Sequence, residues 1–309
     1  MTNSKIRVIT TINELRKLRQ QYNIADETLG FVPTMGYLHD GHLSLISKSL
    51  AENDHTIISI FVNPSQFAPG EDLDSYPRDL EHDLQVLSTL DKSIDAVFCP
   101  TVTEMYPTGI TLDVTQQRGA FVSVLGVSEQ LEGKTRPNFF RGVATVVTKL
   151  FNAVRPDTAY FGQKDIQQTV VIRKMVEDLL MGINIKIVET KRAESGLALS
   201  SRNKYLDEDI KRQSVAIYKG LSLSKELYLN GETDVKKLQN TIVDSIKNAN
   251  DKFKIDYVSF NDPETLDYLD QVDKSKGCIV SLAVYVPNSN IEEKGTTRLI
   301  DNMIFNPTI

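Results

Sequence analysis

Two histidines, His39 and His42, stand where a predicted strand (30–33) meets a predicted helix (42–53). The segment reads Pro33-Thr34-Met35-Gly36-Tyr37-Leu38-His39-Asp40-Gly41-His42. Unpaired backbone N–H groups and the helix dipole favour an anion there, and Gly36 and Gly41 let the backbone approach it closely. The three-residue spacing puts both imidazoles on one face, where both can donate hydrogen bonds to phosphate oxygens. The pattern predicts a phosphate-binding corner.

Two alternatives remain for this pair of histidines. One ring can cap the helix while the other is an ordinary surface group. A metal site is disfavoured because no third histidine, cysteine or carboxylate falls at ligand spacing nearby.

A second strand-to-helix junction carries Lys164, within Phe161-Gly162-Gln163-Lys164-Asp165-Ile166-Gln167-Gln168. Lys164 offers a point charge to phosphate. Asp165 either accepts from a ribose hydroxyl or caps the helix. Gln168 both donates and accepts, which suits a substrate with hydroxyls and a carboxylate.

A polar loop further along contains Ser200, Ser201 and Arg202. The hydroxyls and the forked guanidinium can chelate phosphates from a mobile loop. A solvated loop with a helix-capping serine would have the same sequence, so this tripeptide alone is a weak signal.

Two amides follow the predicted strand at 56–62. Asn63 can satisfy the proline turn that it precedes. Gln66 lies in an otherwise largely apolar stretch, with Pro64, Phe67 and Ala68 nearby, and is interpreted as a substrate contact.

Two further charged residues are candidates with open alternatives. Asp83 can approach the metal of a bound nucleotide, or belong to a solvated helix face. Arg136 can bind a carboxylate or phosphate, or pair with a surface acid.

Short β-branched or aromatic runs alternate with helical patterns up to about residue 190, which predicts βαβ units. The predicted strands are 30–33, 56–62, 96–99, 158–162 and 183–188, and the predicted helices are 13–22, 42–53, 79–90, 143–154 and 166–180. The fold class is α/β, a Rossmann-like doubly wound parallel sheet. Ligands bind beyond the carboxyl ends of the strands in such sheets.

The alternation of predicted strands and helices ends at about residue 190. Two helical patterns and strands at 255–260 and 278–286 follow. We therefore expect a nucleotide- and substrate-binding domain at 1–190 and a smaller α+β lid or dimerisation domain at 191–309.

Composition limits the partners. A net charge of -6 opposes nonspecific nucleic-acid binding, so we expect no nucleic-acid partner and a small-molecule substrate. The absence of a signal-peptide pattern and of a long apolar run predicts a cytoplasmic location and no membrane partner. The two cysteines, Cys99 and Cys278, are interpreted as reduced packing residues.

Taken in order, these segments resemble the pantothenate synthetase family of the His-x-Gly-His nucleotidyltransferase superfamily. The similarity is collinear over most of the chain, and it is specific because His-x-Gly-His occurs together with Asn63-Pro64-x-Gln66-Phe67 and Lys164-Asp165-x-Gln167-Gln168. The resemblance implies a ligase that uses ATP and Mg²⁺ to convert pantoate to pantoyl adenylate, from which the amine of β-alanine displaces AMP. The product is pantothenate, a coenzyme A precursor, and the resemblance also implies a homodimer.

The resemblance also implies roles for individual residues. His39 and His42 would stabilise charge as pyrophosphate leaves, and Lys164 and Arg202 would act with them on the phosphates. The ATP-binding set would be Met35, Gly36, His39, Gly41, His42, Gly162, Gln163, Lys164, Asp165, Leu199, Ser200, Ser201 and Arg202. Pantoate and β-alanine would contact Gln66, Gln168, Asn63 and Arg136, and Asp83 would act on Mg²⁺ through ATP.

The chain departs from the family pattern at three places. Phe139 stands where a histidine is usual, which puts a polar role for that loop position in doubt. Leu199 stands where methionine is also common, and the segment 116–128 is longer than the family requires. The alternative functions are another nucleotidyltransferase of the superfamily, which would keep the nucleotide in its product, and a catalytically silent nucleotide-binding protein.

Overall fold

The computed structural model describes residues 6–288 and 295–305. A six-stranded sheet in the order β1-β4-β3-β2-β5-β6 has only parallel neighbours. Its strands are β1 (Val8–Ile9), β2 (Leu29–Thr34), β3 (His55–Ile60), β4 (Ala96–Phe98), β5 (Thr158–Gly162) and β6 (Asn184–Val188). The chain runs outward from β2 through β3 to β4 and then crosses to β5 on the other side, so the strand order reverses between β2 and β5. The predicted doubly wound α/β class is confirmed.

Seven helices accompany this sheet in the described chain. They are α1 (Ile12–Ala25), α2 (Asp40–Glu52), α3 (Leu80–Leu87), α4 (Val102–Met105), α5 (Glu132–Thr135), α6 (Phe139–Val154) and α7 (Ile166–Asp178). The predicted helices lie within these bounds to a few residues, the largest difference being α6, which starts four residues earlier than predicted. Short 3₁₀ turns at Pro64–Gln66 and Gln163–Asp165 follow β3 and β5.

The central strands are apolar because both of their faces are covered. Phe31 and Val32 of β2 and Ile57 and Ile58 of β3 are fully buried, as expected for parallel strands between two layers of helices. Gly142 of α6 allows this helix to approach the turn after β3, since a Cβ there would lie 2.2 Å from the carbonyl oxygen of Ser65.

The later part of the chain contains an antiparallel sheet in the order β7-β8-β9, formed by β7 (Lys254–Asn261), β8 (Cys278–Pro287) and β9 (Thr296–Phe305). It accompanies α8 (Glu208–Leu229), α9 (Val235–Ala249) and a 3₁₀ turn at Ser201–Tyr205. Strand β9 was not predicted from the sequence. It carries two consecutive buried polar residues, Asp301 and Asn302, which interrupt the expected apolar pattern.

The described chain groups into two compact units. The first comprises residues up to Gly162 together with Val171–Val188, and the second comprises Gln163–Val170 together with residues from Glu189 onward. The domain boundary at 190/191 stays a prediction. Both cysteines are free, and no helix among the described residues is long and apolar enough to cross a membrane.

His55, at the start of β3, is clamped between two carboxylates. Its Nδ1 lies 2.7 Å from Asp95 and its Nε2 lies 2.8 Å from Glu27, while its ring stacks on Tyr22 at 3.6 Å. Burial lowers the pKa of His55, but the hydrogen bonds and charges of Glu27 and Asp95 outweigh burial and raise the pKa above its ordinary value.

A pH-dependent stability follows from this raised pKa. Because the folded pKa exceeds the unfolded one, the contribution of His55 is complete below about pH 6.5 and is lost as pH rises through the folded pKa. We expect His55→Gln to destabilise the protein at mildly acidic pH and to cost less at alkaline pH, as measured by urea unfolding at several pH values. An equal loss of stability at every pH would contradict this.

Candidate active site

The turn between β2 and α2 brings the two histidines together through an unusual backbone path. Gly36 and Tyr37 both have left-handed backbone angles, with φ of 82° and 53°. Glycine is required at position 36, since a Cβ there would lie 2.9 Å from Oδ2 of Asp83 and 3.0 Å from Cγ2 of Ile60. The turn therefore needs a small residue beside a buried carboxylate.

Each of the two imidazoles accepts a backbone N–H through its Nδ1 atom. His39 is the N-cap of α2, and its Nδ1 accepts from the N–H of Gly41 at 3.1 Å. The N–H of His39 in turn donates to Nδ1 of His42 at 3.3 Å, and the ring centroids lie 4.1 Å apart. Because Nδ1 accepts in both rings, the neutral tautomer carries its proton on Nε2. Both rings therefore present an Nε2–H donor.

Of the alternatives that the sequence left open, the helix cap is confirmed for His39, which caps α2 through Nδ1. Its role toward phosphate stays a prediction. Gly41 is needed for the cap, because a Cβ at this position would lie 2.8 Å from Cε1 of His39.

The backbone amides of the turn differ from expectation. They were expected to be unpaired and available to an anion, but the N–H groups of Tyr37 and Leu38 donate to the carboxylate of Asp83 at 3.0 and 2.6 Å. The N–H of Gly36 donates to Oγ1 of Thr34 at 3.2 Å. The carboxylate of Asp83 therefore already occupies the N–H donors of Tyr37 and Leu38.

Asp83 lies on α3 and is only 1% exposed. Its buried charge is stabilised by the two amides, as a buried carboxylate requires. The predicted role of Asp83 toward ATP-bound Mg²⁺ stays a prediction, and these contacts assign the carboxylate to the backbone of the turn. Residues 6–288 and 295–305 hold no group of three or more histidines, cysteines and carboxylates suited to a metal ion.

The amide pair after β3 forms a buried network. Asn63 accepts from the hydroxyls of Tyr106 at 2.7 Å and Ser65 at 3.1 Å, and caps the 3₁₀ turn. Its Nδ2 donates to Oε1 of Gln66 at 3.0 Å and to the carbonyl oxygen of Gly142 at 3.2 Å. With Oε1 of Gln66 engaged by Asn63, Nε2 is the donor that Gln66 can offer to a ligand. Asn63 thus orients Gln66, and its own contact with substrate stays a prediction.

Arg136 is paired with an acid. Its guanidinium donates to both oxygens of Glu71 at 2.9 and 2.6 Å and to the carbonyl oxygen of Gln66 at 3.3 Å. Phe139 lies against this guanidinium, 4.0 Å from ring centroid to Cζ. The aromatic ring at position 139 therefore has a defined place, as a stacking partner for Arg136.

In the second unit, the 3₁₀ turn Gln163–Asp165 carries the predicted phosphate lysine. The side chain of Asn302 donates to the carbonyl oxygens of Gln163 and Lys164 at 2.8 and 2.9 Å and accepts from Nε2 of Gln163 at 3.1 Å. Lys164 and Gln168 are half-buried and Asp165 is exposed. Sequence reasoning did not identify Asn302, and its only signal was a polar residue inside an apolar strand.

The loop that carries Arg202 belongs to the same unit. Oγ of Ser200 accepts from the N–H of Arg202 at 3.3 Å, so Ser200 caps the short turn that follows. The preceding segment is held by Arg192, whose guanidinium makes a two-pronged pair with Asp301 at 2.6 and 2.8 Å and lies 4.0 Å from the centroid of Tyr218. Leu199, Ser200, Ser201 and Arg202 are all half-buried.

The remaining predicted ATP positions lie in the first unit. Met35 and Gly162 are half-buried, and a Cβ at Gly162 would meet no atom of the protein within 4 Å. Packing of the protein does not itself require glycine at this position.

Comparisons with known proteins agree on one family. A family model described as pantoate-beta-alanine ligase matches residues 7–304. A Saccharomyces cerevisiae protein named pantoate–beta-alanine ligase is 49% identical over 302 residues, covering 94% of this chain and 94% of that protein. An Acetivibrio thermocellus pantothenate synthetase is 48% identical and covers 97% of this chain and 99% of that protein.

Solved structures give the same result. A pantothenate synthetase from Thermus thermophilus has a TM-score of 0.82 at 38% identity, covering 96% of this chain and 99% of that one. A pantoate-beta-alanine ligase from Francisella tularensis, complexed with beta-gamma ATP and beta-alanine, has a TM-score of 0.72 at 33% identity and covers 97% of each chain.

The Asp83 contacts lead to a stability prediction. In Asp83→Asn, one amide of the turn would face an NH₂ group instead of an acceptor, which costs about 1–3 kcal/mol for a buried unsatisfied donor. We expect a loss of that size in the free energy of unfolding and faster hydrogen exchange at Tyr37 and Leu38, measured by urea unfolding and by NMR.

Glu81→Gln is the matched control, because it removes a carboxylate from an exposed position of the same helix. Equal behaviour of the two variants would show that the turn does not depend on Asp83.

Proposed function

This chain belongs to the pantoate-beta-alanine ligase family and is an ATP-dependent ligase that joins pantoate to β-alanine, and we propose that it does so through a pantoyl adenylate. A free carboxylate is a poor electrophile because its leaving group would be oxide. Attack of a pantoate carboxylate oxygen on the α-phosphorus of ATP forms a P–O bond and breaks the bond to the bridging oxygen, releasing pyrophosphate.

The second step forms the amide. The unprotonated amine of β-alanine attacks the acyl carbon of the adenylate, a C–N bond forms, the bond to the AMP oxygen breaks, and the amine loses a proton. The products are pantothenate, AMP and pyrophosphate.

The observation that carries this proposal is that His39 and His42, at the corner after β2, each accept a backbone N–H through Nδ1, which places the ring proton on Nε2. Charge accumulates on the phosphate oxygens as pyrophosphate leaves. Preorganised donors aimed at such charge are usually the largest catalytic contribution, worth about 10²–10³-fold in rate for one donor. We assign this role to the two imidazoles, with Lys164 and Arg202 as further phosphate ligands.

The substrate ligands follow from donor chemistry. Gln66 offers Nε2 to pantoate or β-alanine while Asn63 holds its Oε1. Gln168 offers both a donor and an acceptor to pantoate. ATP enters as its Mg²⁺ complex, the ion being part of the substrate. The homodimer and the cytoplasmic location stay predictions.

Isotope exchange tests the adenylate step. We expect labelled pyrophosphate to exchange into ATP when pantoate is present and β-alanine is absent. Exchange that requires β-alanine would contradict a free adenylate, and a product that retains the nucleotide would favour the other nucleotidyltransferase reaction.

Two variants in the same assay separate the two nitrogens of His42. In His42→Asn the side-chain oxygen can replace Nδ1 as acceptor for the His39 amide, but no donor remains at the position of Nε2. We expect exchange to fall by about 100-fold. His42→Gln places an amide NH₂ near the position of Nε2, so it should retain more exchange than His42→Asn, and the reverse order would reject the donor role.

A glycine substitution tests the approach of ATP to the end of β5. A methyl group at position 162 meets no protein atom within 4 Å, so Gly162→Ala should leave the melting temperature unchanged. If ATP approaches the backbone there, the methyl group will raise KM for ATP by about tenfold while KM for β-alanine changes little. An unchanged KM for ATP would remove Gly162 from the proposed binding set.

A further inference from the structure

Strand β9 carries two buried polar side chains. One contacts the turn that bears Lys164, and the other contacts Arg192, in the segment that leads toward Arg202. Asn302 is 1% exposed and Asp301 is 5% exposed. Buried polar groups in a strand cost free energy unless they are fully hydrogen-bonded, so their partners indicate what they stabilise.

The side chain of Asn302 hydrogen-bonds to one short 3₁₀ turn. Its Nδ2 group donates to the carbonyl oxygens of Gln163 and Lys164, and its Oδ1 accepts from the Gln163 side chain. One of these bonds holds the carbonyl group of Lys164 itself and the other two hold the preceding residue, Gln163. Together they fix the backbone from which the Lys164 side chain starts.

Asp301 secures the second segment. It pairs with Arg192 through both oxygens and also accepts the N–H of Asn302 at 2.8 Å. The backbones of Arg192 and Ala198 form an isolated antiparallel β-bridge, and the N–H of Leu199 donates to the carbonyl oxygen of Lys191 at 3.0 Å. The segment that precedes Ser200 is therefore held by Asp301, the residue next to Asn302 on β9.

We propose that the Asp301–Asn302 pair is a positioning device for phosphate binding in which Asn302 acts through Lys164. The inference rests on the proposed role of Lys164 toward ATP and adds a residue that does not itself touch the nucleotide. A misplacement of about 1 Å in a ligand-positioning group can cost on the order of 100-fold in rate, so a fixed starting point for the Lys164 side chain has a large effect.

Asn302→Asp is the informative variant. It keeps the size of the side chain but replaces the donor to two carbonyl oxygens with an oxygen that repels them. We expect the dissociation constant for MgATP, measured by calorimetry, to rise on the order of tenfold, the scale of about 1.4 kcal/mol.

Asn261→Asp is the matched control. Asn261 is equally buried in the same sheet, on β7, and its Nδ2 likewise donates to a backbone carbonyl, that of Leu266 at 2.8 Å. This variant should lose comparable stability and keep the MgATP affinity of the unmodified protein. If both variants weaken MgATP binding equally, Asn302 has a general structural role only and the proposal is overturned.

A double-mutant cycle tests whether Asn302 acts through Lys164. Lys164→Ala should weaken MgATP binding, and adding Asn302→Asp to it should change the dissociation constant by less than about twofold. Full additivity, or an unchanged affinity in Lys164→Ala alone, would overturn the proposal. MgATP binding is measured separately from turnover. An unmodified protein that binds MgATP but forms no AMP would refute the proposed function. The double-mutant cycle would still decide whether Asn302 acts through Lys164.

Discussion

The carboxylate of Asp83 is the contact on which the histidine corner depends. It accepts the N–H groups of two successive residues, Tyr37 and Leu38, which lie 46 and 45 residues earlier in the chain. Tyr37 has a left-handed backbone, which costs a residue with a side chain about 1 kcal/mol or more. The buried charge offsets that cost because two amides that would otherwise be desolvated gain a strong acceptor.

This internal anion changes how the corner can meet phosphate. A phosphate-binding turn commonly offers bare amides, whereas here those of Tyr37 and Leu38 are neutralised within the protein. The imidazoles then supply the donors, and their orientation is fixed because each Nδ1 is engaged by a backbone N–H. A ring held in one tautomer suits charge that develops on phosphate, since no reorganisation is needed at the moment of reaction.

In each of the two units, a buried amide side chain holds a residue that is assigned to substrate binding. Asn63 holds Gln66, and Asn302 holds the backbone of Lys164, in each case as a buried amide with all of its bonds inside the protein. Fully satisfied buried networks fix a unique geometry, while half-satisfied ones are costly. Buried amides thus orient the residues assigned to substrate in each unit separately.

Much of the fold was predictable, because apolar periodicity records burial directly. Strands such as β2 and β5 are apolar on both faces, and α6 carries apolar residues at helical spacing. Strand β9 was not predicted because Asp301 and Asn302 are polar residues that are buried against specific partners. A prediction based on hydrophobicity places such polar residues on the surface. The candidate site residues were chosen by residue type and stay predictions, whereas the hydrogen-bond partners that hold them could not be read from the sequence. For Asp83 the sequence left open a place near the nucleotide metal or on a solvated helix face, and the second alternative is wrong because the side chain is buried. Its pairing with the amides of Tyr37 and Leu38 is a tertiary contact that leaves no local pattern.

The central claim is that both site histidines are neutral rings with the proton on Nε2. Long-range ¹H–¹⁵N correlation spectra of histidine-labelled protein, at neutral to mildly alkaline pH, report this tautomer for each ring. The account predicts the Nε2–H pattern for His39 and His42, and a change at both Nε2 signals when MgATP is added. A proton on Nδ1 of either ring, or Nε2 signals unmoved by saturating MgATP, would contradict it.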